Sequence, residues 1–445
     1  MEKRFVSEQT TSSSMRTFGV IWFGQLVSTI GSGLTSFALG LWVYEQTGSA
    51  TLYAFNLLAL LLPNVLLSPL VGALVDRWDR RRMMILADTG AGFVTLTLAL
   101  LFFSGRLAVW HIYVAIFTSA AFSSFQWPAY SAATTLLVPK KHLARAGGMV
   151  QMGQSLSRLL TPAIAGALFA TGGLGSLILI DFVTFLFAVA TLLLIRIPRP
   201  KRSAVATAVK GSLLREGFYG WTYIKARPGL MGLLLAGASW NLLWGIANAV
   251  LVPMVLELYS PDVAGYVSSV IGSGLLTGTL VMSIWGGPRR LVLGALVSLI
   301  ASGFFAILLG LRPSLALIAI GCFGVHLAVP LYSASSQAIW QRKVQPDLQG
   351  RVFAARRMVL LSMTPMAYLI GGPLADRVFE PLMMEGGALA ATLGPVMGVG
   401  PGRGAGLQIL LMGVLITLIS LAFFSRPHIR NVESEIPDAV EDQEQ

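Results

Sequence analysis

The sequence predicts an all-α, polytopic membrane protein: twelve transmembrane helices in two six-helix bundles, with both termini cytoplasmic. Three observations predict it, namely an apolar composition, twelve apolar stretches long enough to cross a bilayer, and a one-sided distribution of basic residues. Of 445 residues, 55% are hydrophobic and 12% charged, and the mean hydropathy is +0.73. Soluble domains carry roughly 25% charged residues, so half that fraction over this length excludes a string of soluble domains. The 47 glycines and 10 tryptophans agree with this, because Gly is commoner in membrane helices and Trp favours the headgroup boundary.

A helix that crosses the hydrocarbon core needs about 20 mostly apolar residues. Such stretches occupy 17–43, 50–75, 83–104, 109–138, 144–171, 174–196, 229–257, 264–285, 290–311, 314–340, 352–374 and 406–425. Short glycine-rich turns divide neighbours such as the fifth and sixth, so eleven or thirteen spans also fit the pattern. Lys and Arg then fix the orientation. With the N-terminus inside, and basic residues near span ends counted with the adjoining segment, the inner segments hold 27 of the 32 basic residues, the outer ones hold Arg106, Arg312, Arg377 and Arg403, and Arg158 lies deep within a span. That bias puts both termini in the cytoplasm and makes the number of spans even. The net charge of +12 therefore records loop orientation, and no nucleic-acid partner is expected.

Residues 1–16 read as a polar cytoplasmic tail with no cleavable signal, since the apolar stretch after them is too long for an h-region. The tail at 426–445, acidic from Glu433 onwards, is expected to be disordered. The single cysteine, Cys322, can close no internal disulfide and reads as a small buried side chain.

An internal duplication divides the chain. Residues 128–134, Pro-Ala-Tyr-Ser-Ala-Ala-Thr, return at 330–336 as Pro-Leu-Tyr-Ser-Ala-Ser-Ser, and Thr161-Pro162 returns as Thr364-Pro365. The nearly equal offsets, 202 and 203, make 17–196 and 229–425 two copies of one six-helix unit, related by an axis along the membrane normal and enclosing a site near the midplane. The connection at 197–228 starts with Pro198-Arg199-Pro200-Lys201-Arg202. It continues with Leu213, Leu214, Phe218, Trp221 and Ile224 at helical spacing, which predicts an amphipathic helix on the inner membrane surface.

Polar residues within the spans form stripes. The first span carries Gln25, Ser28 or Thr29, Ser32 and Ser36, which share a face; its copy, the seventh, carries Asn241, Trp244 and Asn248. The fourth offers Ser123, Gln126, Tyr130 and Thr134, and the tenth Tyr332, Ser336 and Trp340. Uncharged hydrogen-bonding groups mixed with Trp and Tyr suit a bulky amphipathic or lipophilic ligand. Singly, a Ser or Thr in such a stripe is as well explained by helix-to-helix bonding.

Ionisable groups at membrane depth each cost roughly 2.5–3.5 kcal/mol on insertion scales, so each needs a reason. Arg158 falls near the middle of the fifth span and Asp181 about two turns into the sixth, close enough in height for an ion pair or a shared water. A carboxylate that takes up a proton when its arginine turns away is what a proton-coupled carrier needs; a permanent buried pair is the structural alternative. Asp88 is a further candidate. His111 and His326 are not spaced as metal ligands, and neither a metal nor a cofactor is expected.

The turn after the second span reads Gly72-Ala73-Leu74-Val75-Asp76-Arg77-Trp78-Asp79-Arg80-Arg81. It resembles the signature G-x-x-x-D-R-x-G-R-R of the major facilitator superfamily, which occupies the same cytoplasmic loop. In physical terms Gly72 permits close helix approach, while Asp76 with Arg77, Arg80 and Arg81 can form a charge-assisted network that stabilises the outward-open state. Asp79 stands where the family prefers Gly. The second copy is reduced to Gly286-Gly287-Pro288-Arg289-Arg290. Gly372-Pro373-Leu374-Ala375-Asp376-Arg377 has the same spacing, but falls outside by parity and is set aside. The glycine-rich segment 386–406 lacks a Gly-Lys-Ser/Thr ending, so it reads as a flexible outer loop without phosphate-binding function.

Further motifs are similar to bacterial drug:proton antiporters of the macrolide-efflux and siderophore-exporter type: Tyr44-Glu45-Gln46-Thr47-Gly48-Ser49, Arg227-Pro228-Gly229-Leu230 and Gly371-Gly372-Pro373-Leu374-Ala375-Asp376-Arg377. The resemblance implies a monomeric, non-enzymatic carrier in the bacterial inner membrane that exports a small molecule in exchange for protons. It also implies that the first, fourth, seventh and tenth spans line the central cavity. The antiporter signature G-P-x-x-G-G of the fifth span is half met, by Pro162 and Gly166 with Thr161 in place of Gly. Proton-coupled metabolite uptake, lysolipid transfer, and a receptor or scaffold are the alternative readings. A receptor should carry a sizeable soluble domain, whereas no connection exceeds about forty residues.

Overall fold

The computed structural model describes residues 15–77, 79–138, 142–194 and 220–438; within them the side chains at 68–77, 80, 127, 132, 135–136, 143–145 and 346–347 lie outside the description. Long apolar helices follow one another across short loops. They are α1 (Met15–Thr47), α2 (Ala50–Arg77), α3 (Arg80–Phe103), α4 (Val109–Leu137), α5 (Leu143–Leu194), α6 (Pro228–Leu258), α7 (Pro261–Trp285), α8 (Leu291–Leu311), α9 (Leu315–Lys343) and α10 (Pro346–Leu374). A π-helical turn (Ala375–Phe379), two short helices, α11 (Glu380–Met383) and α12 (Ala390–Met397), and the long α13 (Arg403–Phe424) come next. The described chain ends with α14 (Pro427–Arg430) and α15 (Val432–Glu435). Among the described residues there is no strand, and ten helices are long and apolar enough to cross a membrane.

Local chemistry sets the boundaries. α5 is two arms joined at Gly173, whose φ of 65° and ψ of −178° lie in a region open almost only to glycine. The glycine-rich turn expected between the fifth and sixth spans is therefore one residue. Asp79, the departure from the family signature, is the N-cap of α3, and its carboxylate accepts from the Arg82 N–H at 3.1 Å.

The chain packs as two compact units: Met1–Ser36, Ala59–Ser157 and Gly172–Val205 in the first, and Phe37–Leu58, Arg158–Thr171 and Ala206–Gln445 in the second. This differs from a cut at the 197–228 connection. The reason lies in contacts inside the second unit, where the α1–α2 connection and part of the first arm of α5 pack on the later helices. Tyr44 donates to Glu257 at 2.8 Å, and Asp376 accepts from the start of α2. α5 and α7 meet backbone to backbone at Gly166 and Gly265, where a Cβ on Gly166 would lie 2.6 Å from the Pro261 carbonyl oxygen.

The first unit is built on an apolar cluster that includes Phe18, Ile21, Met84, Ala133, Leu137 and Leu192; the second is built on one that includes Leu230, Leu233, Val292, Leu296, Trp340 and Val432. Val432 belongs to the tail expected to be disordered, and that expectation is corrected up to residue 438. Glu433 accepts from the N–H groups of Leu291 and Val292, both at 3.1 Å, and so caps α8. Buried Lys343 donates to the carbonyls of Glu433 and Ile436 and pairs with Asp438 at 2.8 Å. Of the 197–228 connection, 197–219 lies outside the described residues; 220–225 is helical, with Ile224 buried and Trp221 40% exposed.

The glycine-rich segment is also more regular than a flexible loop. It contains α12 and the start of α13, and Gly398, Gly400 and Gly402 supply positive φ angles that turn the chain into α13. There Glu380 accepts from Gly402 and Ala405 N–H groups. Arg403, counted with the outer residues, is 2% exposed and donates to the Gly310 carbonyl at 3.0 Å.

Candidate solute cavity and its buried carboxylates

A cavity of about 250 Å³ opens inside the first unit, lined by α1, α3, α4 and both arms of α5. α1 contributes Gln25, Ser28 and Ser32, whose spacing puts them on one face. α3 contributes Asp88 and Thr95, seven residues and so about two turns apart on the same face, and α4 contributes Gln126 and Tyr130. The second arm of α5 brings Asp181 and Phe185. Gly31 makes this convergence possible: any side chain there would collide with Thr184 and crowd the Asp181 backbone.

Two carboxylates define the chemistry. Asp88 and Asp181 are 3% and 4% exposed, and among the described residues neither makes an ion pair. Asp88 Oδ2 accepts from Gln25 Nε2 at 3.1 Å, and Oδ1 accepts from Gln126 Nε2, which also donates to Gln25 Oε1. The three side chains close a ring. Asp181 Oδ1 accepts from Ser32 Oγ, and Oδ2 from Thr95 Oγ1, both at 3.0 Å. The partner expected for Asp181 was Arg158, and this is corrected. Arg158 is exposed and belongs to the second unit; hydroxyls take its place at the carboxylate.

Of the other sequence-predicted residues, Gln25, Ser32, Gln126 and Tyr130 line this cavity, and Ser36, one turn further along α1, does not. In the second unit Asn241 donates to the Gly237 carbonyl at 3.0 Å, and Asn248 is hydrogen-bonded to Tyr368. Trp244 stacks on Trp240 at 6.4 Å and meets His326 edge-on at 5.4 Å. Tyr332 is hydrogen-bonded to Ser336. Ser336 and Gln337 accept from the Arg356 guanidinium at 3.0 and 2.9 Å, and the guanidinium lies 5.0 Å from the Trp340 ring centroid. Trp340 is fully buried in the apolar cluster, so its expected place on a cavity wall is corrected.

Arg356, counted among the loop charges, lies on α10, which begins ten residues earlier. Thr95 was missed although it follows Asp88 by seven residues, about two helical turns, which is the signal that puts the two on one face.

The side chains of Gly72, Asp76, Arg77 and Arg80 lie outside the described part of the structure. Arg81 donates to the carbonyls of Leu192 and Leu193 on α5 at 3.0 and 2.9 Å. Among the described residues no cluster of His, Cys, Asp and Glu could hold a metal. His111 instead accepts from the Ala108 N–H, and His326 Nδ1 lies 2.8 Å from the Cys322 carbonyl.

A multi-pass helical membrane protein with a solute-sized, partly polar cavity among its helices belongs to the class of membrane transporters. The family model of the Major Facilitator Superfamily matches residues 21–368, and the chain belongs to that family. Macrolide efflux protein A of Streptococcus pyogenes is 30% identical over 366 residues, covering 81% of this chain and 90% of that protein. The enterobactin exporter EntS of Shigella boydii is 27% identical over 415 residues, covering 90% and 91%. Among solved structures, a bacterial homologue of the iron transporter ferroportin in an inward-facing state aligns with a TM-score of 0.64 at 16% identity, over 93% of this chain and 100% of that one. That likeness speaks for the fold alone.

Proposed function

We propose that this transporter exports an amphipathic or lipophilic small molecule from the cytoplasm in exchange for protons, by alternating access. In this reading it is a monomer in the bacterial inner membrane, with twelve spans in two halves and cytoplasmic termini. α4 and the two arms of α5 bring the count of long helices to twelve, the bias of Lys and Arg supports the orientation, and relatives named for efflux and export support the direction. The signature residues Gly72, Asp76, Arg77, Arg80 and Arg81 hold the inner ends of the helices together when the carrier faces out.

The observation that carries the reading is the pair of buried carboxylates in one cavity with two kinds of partner. Ser and Thr hydroxyls both donate and accept. If Asp181 gains a proton on Oδ2, it can donate to Thr95 Oγ1, and Thr95 can turn its own proton to the Ala91 carbonyl, 3.3 Å away. The network then holds either protonation state without moving a helix, which suits a proton carrier. The amides around Asp88 present N–H groups that only donate, so that ring fits a carboxylate. Asp88 then serves as a negative anchor for a cationic group on a solute whose apolar body packs against Trp22, Tyr130 and Phe185.

Reconstitution tests this. In proteoliposomes with an imposed proton gradient, one or more of a panel of amphipathic amines, siderophores and lysolipids should accumulate against its own gradient, and should stop doing so when the proton gradient is collapsed. Equal accumulation with and without the gradient would exclude proton coupling.

A further inference from the structure

We propose that Asp376 is a positioning residue for transport: its charged carboxylate latches the start of α2 to the end of α10 and holds the outer gate closed. The inference rests on the proposed function in taking this end of the helices as outward and transport as alternating access. Asp376 belongs to the Gly372–Arg377 segment, which repeats the spacing of the inner signature yet falls on the other side.

The geometry is specific. Asp376 Oδ1 accepts from the Ala50 N–H at 3.0 Å, and Oδ2 accepts from the Thr51 N–H at 2.9 Å and the Ser49 hydroxyl at 2.7 Å. Ala50 and Thr51 open α2, so their N–H groups have no acceptor within the helix. A carboxylate there supplies the acceptor and also faces the positive end of the helix dipole. Capping groups ordinarily come from the residue just before the helix, but this one is 325 positions away from Thr51. Ser49 Oγ, just before the helix, caps the Leu52 N–H at 3.3 Å, whereas the Ala50 and Thr51 N–H groups keep their acceptor only while the first turn of α2 touches α10.

Backbone packing makes the reach possible. A Cβ on Gly372 would lie 2.5 Å from Thr51 Cα and 2.8 Å from the Ala50 carbonyl oxygen, so the two helices touch with no side chain between them. The π-helical turn at Ala375–Phe379 then carries Asp376 onto the α2 terminus. Among the described residues the other contacts here include the Tyr44–Glu257 bond, the uncharged Gly166–Gly265 crossing and the Ala163–Ser269 bond beside it. Asp376 engages three donors, and parting the helices leaves all three, and its own charge, to find new partners.

Asp376→Asn keeps the shape and removes the charge. It should shift the closed-to-open equilibrium of this end on the order of 5- to 30-fold towards open. The test uses the full chain in proteoliposomes with Cys322→Ser, spin labels on cysteines at the exposed positions Gln46 and Glu385, and electron–electron resonance distances. The unmodified latch should give mainly the short distance, Asp376→Asn should move weight to a longer one, and Asp376→Glu should restore most of the short population. If Asp376→Asn does not fold, Ser49→Ala, which removes one of the three donors, should shift the distribution the same way by less. A well-folded Asp376→Asn, or failing it a Ser49→Ala, with the parent distribution overturns the latch, and the proposed function stands as long as an imposed proton gradient still changes the distances. A single distance in every variant and under every gradient overturns alternating access, and the latch falls with it.

Discussion

Ser32 donates to Asp181 across 3.0 Å, and Thr95 donates to the other oxygen of the same carboxylate at the same distance, so an acid from the second arm of α5 is clamped between hydroxyls of α1 and α3. Three helices that line the cavity thus share one protonatable group. In the proposed reading a proton on Oδ2 reverses the Thr95 bond and leaves Ser32 donating to a neutral group, so α1 and α3 both sense the charge of Asp181 while keeping their places.

Asp181→Asn should abolish uphill, gradient-driven accumulation while leaving solute exchange and equilibrium binding largely intact, because a permanently neutral side chain fixes one side of the proton cycle. Accumulation and binding measured on the same reconstituted sample decide it. Full accumulation by the Asn variant would remove Asp181 from the coupling role and pass it to Asp88. Thr95→Val takes one hydrogen bond from the buried carboxylate, worth about 1.5–3 kcal/mol for a charged group, and should slow transport without abolishing it.

Asp88 makes a separable prediction. Asp88→Asn should weaken binding of a cationic amine by roughly 10- to 100-fold, as expected for losing a hydrogen bond to a charged group, and barely change binding of a neutral analogue of the same shape. Gln126→Leu, which removes two bonds of the ring, should weaken the cation less. Equal losses for cation and neutral analogue would argue for a structural role. Titration of the two ligands into purified protein reads this directly.

How far the site was legible follows from what helical periodicity can encode. A stripe such as Gln25, Ser28 and Ser32 fixes which face of one helix is polar, and that face does line the cavity. Periodicity does not say which helix lies opposite, so the match of Asp181 with Arg158, made on height alone, failed: Gly31 brings α1 against α5 at Thr184 and gives Asp181 the Ser32 hydroxyl instead. Trp340 was misread because an aromatic at stripe spacing looks the same whether it faces a cavity or the apolar core. The acidic tail looked unstructured because it has little to bury, but Glu433 gains a helix N-terminus that no sequence window displays.

That tail contact should contribute to stability. Glu433→Ala leaves the Leu291 and Val292 N–H groups uncapped, a loss of about 0.5–2 kcal/mol by analogy with other helix caps. Lys343→Met removes the cation that gathers the Glu433 and Ile436 carbonyls with Asp438. Both variants should lower the thermal unfolding midpoint in detergent, and the double variant should lower it by less than the sum, since the two residues hold the same segment. Strict additivity would show that they act independently.

The closest backbone contact between α5 and α7 supplies the last prediction. A Cβ on Gly265 would collide with the Pro162 carbonyl oxygen and lie 3.1 Å from Gly166 Cα. Both are main-chain atoms of a packed helix, so neither can move aside as a flexible side chain would. Next to this crossing the Ala163 N–H donates to Ser269 Oγ at 3.0 Å, a bond between the same two helices that separation would break. Gly265→Ala should slow transport, and Gly265→Leu should abolish it by holding α5 and α7 apart at this end. Solute should still bind, because Asp88, Asp181 and their partners are untouched. Binding retained with transport lost is the expected pair of results for Gly265→Leu. Wild-type transport by that variant would show that the crossing need not close during the cycle, while loss of binding together with transport would show that it holds the fold rather than the gate.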